Sequence, residues 1–114
     1  SAIPYHSGYY QQFRQRTLDL ISAQYTTNPD LLANFINDYQ ITFWLFDQSA
    51  FNVEYLAKND WLQQYQPATK NAELQLKQGT TPVLQPLMKT CSRFENEQFV
   101  LLSSECILSE IQSN

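Results

Sequence analysis

Only two glycines, Gly8 and Gly79, occur among 114 residues, and this scarcity constrains the fold more than any other feature of the chain. Tight β-turns lean on residues that reach positive φ without steric cost, so so few glycines point to helices. The predicted fold is all-α, a compact bundle of four or five helices forming one domain over residues 1–114, with residues 1–7 as a flexible N-terminal arm. The competing α+β reading places a small hairpin around residues 72–85, where Leu74 and Leu76 alternate with Gln75 and Lys77 before Gly79.

Asn28-Pro29-Asp30 is the clearest helix start. Asn28 suits the N-cap, Pro29 the first helical position where no donor is needed, and Asp30 the positive end of the helix dipole. The helix is predicted to continue to Asp47. Leu31, Leu32, Phe35, Ile36, Tyr39, Phe43 and Phe46 make one broad apolar face, while Ile41, Trp44 and Leu45 fall outside it among Asn34, Asn37 and Asp38. Ahead of it, Ser7 is expected to cap a helix reaching Tyr25, with Tyr9, Tyr10, Phe13, Thr17, Leu20 and Ile21 on one arc. Further helices are expected between Ser49 and Pro67, from Pro86 through Cys91, and from about Gln98 to Gln112, the last two separated by a turn at Glu95-Asn96-Glu97.

Cys91 and Cys106 are the only cysteines, and such a minimal pair in a small domain reads as one disulfide and an oxidising, periplasmic or secreted, setting. A plain hairpin centred on Asn96 would align Cys91 nearer position 101 than 106, so the joining loop is expected to be longer or lopsided. Two buried thiols in a cytoplasmic protein are the alternative.

A net charge of -4 argues against nucleic acid and anionic membrane surfaces as partners, because both need clustered Lys and Arg. No apolar run is long enough for a membrane span, the longest being Ile41 to Phe46. With hydrophobic residues at 43%, the chain is nevertheless rich enough in apolar side chains to fold alone as a soluble domain. Its Ser1-Ala2 start fits a chain left after removal of a signal segment, or added residues, and is given no weight.

His6 is the only histidine, which leaves no ligand set for a metal and no base for a Ser or Cys nucleophile outside that terminal segment. Carboxylate pairs such as Glu95/Glu97 or Asp38/Asp47 read as turn or surface residues. Neither enzymatic activity nor a cofactor is expected.

Surface recognition remains. From Thr17 to Ala57 there is no basic residue, and the apolar residues left over from the main helix face lie in this acidic stretch. The candidate binding residues are Ile41, Trp44 and Leu45 as apolar anchors, with Asp38, Asp47 and Glu54 drawing a partner that is neutral or basic. The expected function is therefore non-enzymatic binding of another protein, of the immunity-protein, inhibitor or secretion-accessory kind. Two other readings stand beside it: a cytosolic helical adaptor, chaperone or inhibitor, and a helical carrier of a small apolar ligand.

Overall fold

The computed structural model describes residues 3–113, with side chains from Gly8 onward. The side chains of the expected arm, and with them His6, lie outside the described residues. Helix α1 (Ile3–Tyr25) begins ahead of Ser7, which therefore lies within the helix and does not cap it. Among its described side chains, Thr17, Ile21, Ala23 and Tyr25 towards the C-terminal end are buried, whereas Tyr9, Tyr10 and Phe13 are exposed.

Helix α2 (Pro29–Asp38) starts as its sequence requires, the Asn28 side chain accepting from the Asp30 N–H at 3.0 Å. It stops at Asp38 and does not reach Asp47. Gln40 takes a φ of 53°, the Gln40 N–H donates to the Asn37 carbonyl (3.4 Å), and the Ile41 N–H donates to the Ile36 carbonyl (3.0 Å). This is a left-handed helix stop of the kind glycine usually makes. Gly79, at φ 83°, does the same job after α4 (Ala68–Lys77), with the Thr80 N–H donating to the Gln75 carbonyl at 3.2 Å. Positive φ costs an L-residue roughly 1–2 kcal/mol, so Gln40→Gly is expected to stabilise the protein by about 0.5–1 kcal/mol. Urea unfolding measures this directly, and a destabilised variant would show that residue 40 bears no such strain.

Beyond Gln40 the chain extends into β1 (Phe43–Asp47), so the predicted all-α bundle is corrected to an α+β fold. Two further short elements follow: α3 (Val53–Lys58), capped by Asn52 accepting from the Glu54 N–H at 2.8 Å, and a 3-10 turn at Leu62–Gln64. Helix α4 occupies the region of the alternative hairpin at 72–85, which is therefore absent there. After α5 (Leu84–Thr90) come β2 (Ser92–Glu95), β3 (Phe99–Ser103) and α6 (Ser104–Gln112). The predicted last helix thus begins at Ser104 and not at Gln98, with Ser103 as N-cap accepting from the Cys106 N–H at 3.2 Å.

The three strands form one antiparallel sheet in the order β1-β3-β2. The turn between β2 and β3 needs no glycine, because the Asn96 side-chain oxygen accepts from the N–H groups of Gln98 (2.8 Å) and Phe99 (2.7 Å). Pairing sets Phe43 opposite Ser103, Trp44 opposite Leu102, Leu45 opposite Leu101, Phe46 opposite Val100 and Asp47 opposite Phe99. Side chains alternate across a strand, so Trp44, Phe46, Val100 and Leu102 share the inner face and are all buried. They pack with Leu32, Phe35 and Ile36 of α2, Leu84 of α5 and Ile107 of α6. A second buried cluster joins Ile21 and Tyr25 of α1 to Leu56, Tyr65, Ala68 and Ala72, and Phe51 and Tyr55 touch both clusters.

Cys91 and Cys106 form a disulfide, with Cα atoms 5.4 Å apart. The expected lopsided connection has two sources. The β2–β3 register shifts at an irregularity between Ser92 and Phe94, and the first turn of α6 then folds Cys106 back towards Cys91, whose carbonyl accepts from the Ser103 N–H at 3.0 Å.

Candidate docking surface

The outer face of the sheet is largely apolar, with Asp47 and Ser103 at its ends. Phe43 and Leu45 of β1 are 54% and 61% exposed, and Phe94 of β2 and Phe99 of β3 are 57% and 37% exposed. Leu45 stands opposite Leu101 and Leu101 opposite Phe94, so one apolar strip crosses all three strands. An antiparallel sheet with one solvated face ordinarily places polar residues there. Large contiguous apolar patches are uncommon on monomeric proteins and are a feature of interaction sites.

Backbone hydrogen bonds define the open side of β1. The Ser104 N–H donates to the Thr42 carbonyl (3.0 Å) at one end and the Gln48 N–H to the Gln98 carbonyl (2.8 Å) at the other. In an antiparallel ladder these bonds fall on alternate residues, so positions 42, 44, 46 and 48 face β3 while Phe43, Leu45 and Asp47 turn their N–H and C=O groups away. Among the described residues, the outward groups of Phe43 and Leu45 have no hydrogen-bond partner. The Asp47 carbonyl accepts from the Ala50 N–H at 2.9 Å.

Two hollows flank this strand. One, of about 470 Å³, lies between α1 and β1 and is walled by Thr17, Gln24, Leu45, Asp47, Trp61 and Phe99, among others. The second, of about 590 Å³, lies at the start of β1 beside Ile41, Phe43, Ser104 and Glu105.

The six candidate binding residues do not form one site. Ile41 lies in the hollow at the start of β1, and Leu45 and Asp47 line the groove beside α1. Asp38 is on a separate cleft between α1 and α2, with Asp19 and Asp30. Glu54 is on α3 beside Lys58, in a highly exposed ion pair at 3.8 Å, a contact that contributes little to stability. Trp44 is the clear correction. Its indole is only 3% exposed, because strand geometry sends it to the face opposite Leu45, where it packs on Phe35 and donates from Nε1 to the Gln24 side-chain oxygen at 2.9 Å. Helical periodicity put Phe43 on the broad core-facing arc and did not single out Phe94, Phe99 or Trp61 for binding, yet all four are exposed. No two-residue alternation marks them, because Phe99, Val100, Leu101 and Leu102 are all apolar, and only the turn at Asn96 signals paired strands on either side of it.

Among the described residues, no group of three or more His, Cys, Asp or Glu side chains is arranged to hold a metal ion. The distinctive ionisable groups are phenols. Burial pushes the Tyr25 hydroxyl well above the ordinary tyrosine range, and this hydroxyl donates to the Ala50 carbonyl. Tyr55 is raised by burial and by the neighbouring Asp47 charge, and Tyr39 is raised by its hydrogen bond to Asp19. Because the folded state retains protons that the unfolded state loses above about pH 10, stability is full below that pH and declines above it. Tyr25→Phe is expected to flatten this alkaline decline, measured by urea unfolding from about pH 9 to about pH 11.5. An unchanged slope would remove Tyr25 as a source of it.

Compared with family models, curated proteins and solved structures, the chain matches none.

Proposed function

We propose that this chain is a non-enzymatic protein-binding domain that acts in the periplasm or outside the cell and is covered, when bound, along the outer face of its sheet. The observation that carries this reading is the uncovered strip Leu45–Leu101–Phe94, flanked by Phe43 and Phe99. A net charge of -4, with Asp47 paired opposite Phe99 on the strip's own face, favours a neutral or basic partner, although Arg93 adjoins Phe94. The disulfide favours an oxidising compartment. An immunity protein, an inhibitor and a secretion accessory each work by this kind of surface recognition.

Photo-crosslinking in the source organism tests the reading. A crosslinking amino acid at position 45 or 94 is expected to trap one specific protein, identified by mass spectrometry, while the same group at Lys77 of α4 does not. Equal labelling from all three positions, or none, would remove the sheet face as the binding surface.

A further inference from the structure

We propose that the partner contributes an extended segment that adds to β1 as a fourth strand, with basic residues at both ends of a short apolar or alternating run. This deepens the sheet-face reading above and rests on it. Main-chain groups carry the first part of the case. Phe43 and Leu45 each present an N–H and a C=O to the open edge with no partner among the described residues, and such an edge is a template for another strand. The Asp47 carbonyl is already taken by the Ala50 N–H, so the template ends there and is short.

Charge selects the occupant. Among the described residues lining the two hollows that flank β1, the only charged side chains are Asp47 in one and Glu105 in the other. Both are acids, one near each end of the strand. A second copy of this chain is a poor occupant. Symmetric pairing about Leu45 would set Phe43 of one copy against Asp47 of the other and gather two Asp47 and two Glu105 carboxylates with no lining base. A segment carrying Lys or Arg at both ends meets the same surface with attraction at both.

The experiment uses the unaltered protein labelled with ¹⁵N and a synthetic heptapeptide of alternating Val and Thr with Lys at each end. Millimolar peptide is expected to shift the Phe43 and Leu45 amide signals. N-methylation of alternate peptide amides, which blocks ladder bonds while keeping the side chains, is expected to weaken binding at least tenfold. The double variant Asp47→Asn with Glu105→Gln is expected to weaken the Lys-ended peptide severalfold and to leave a Thr-ended version unchanged. Shifts confined to Phe94 and Leu101, or indifference to N-methylation, would overturn strand addition, as would no response at Phe43 and Leu45. Sedimentation showing a dimer with those two amides protected would replace it with self-pairing. Failure here combined with specific crosslinks from positions 45 and 94 rejects the added strand alone, whereas loss of those crosslinks rejects the sheet-face reading itself.

Discussion

Trp44→Ala is expected to lower the unfolding free energy by about 3–5 kcal/mol and the melting temperature by on the order of 15 °C. The indole sits on the inner sheet face opposite Leu102, with its ring centroid 5.5 Å from that of Phe35. Truncation would open a cavity in the larger core cluster and leave the half-buried Gln24 oxygen without its donor. Leu45→Ala, one residue along and on the other face, is the internal control. At 61% exposure Leu45 has little packing to lose, and its truncation should stay within about 0.5 kcal/mol. Guanidinium unfolding followed by circular dichroism separates the two, and a Trp44→Ala loss below about 1 kcal/mol would place the indole outside the core.

Removing the crosslink is the second large effect. Cys91 and Cys106 are separated by 15 positions, and closing a loop of that length restricts the unfolded chain enough to stabilise the fold by about 3 kcal/mol. The bond also ties α6 to the end of α5, since Cys91 follows directly on α5 and is fully buried. Replacing both cysteines with alanine, or unfolding in the presence of reductant, should therefore lower stability by a similar amount. Agreement between the two treatments would assign the loss to the crosslink. A loss in the variant without one on reduction would assign it to packing at Cys91.

Some of this architecture was legible in the sequence for definite physical reasons. Asn28-Pro29 starts a helix because cap and ring both act locally, and the turn at Glu95-Asn96-Glu97 was visible because Asn96 bonds its own neighbours. The sheet was hidden by two substitutes for glycine. Gln40 adopts the left-handed stop after α2, and Asn96 closes the hairpin through its side chain, so glycine counting overstated the helical share.

Periodicity also failed where both faces of a strand are apolar. Phe43, Trp44, Leu45 and Phe46 offer no polar alternation, and a helical wheel absorbs them as readily as a strand does. Strand β3 runs into α6 without a loop, with Ser103 ending one and capping the other, which let one helix be drawn through both. The same geometry explains the candidate site. Ile41, Leu45 and Asp47 lie along β1 or at its approach, but adjacent strand residues face opposite ways, and that sends Trp44 inward.

The irregular register between Ser92 and Phe94 has a consequence for assembly. Arg93 falls at this break, giving the β2 margin a kink and a positive charge, both of which discourage pairing. Endless stacking of molecules side by side requires a receptive margin on each flank. Edge-to-edge growth from the β1 margin would leave this blunted β2 margin outermost, which disfavours propagation into fibres.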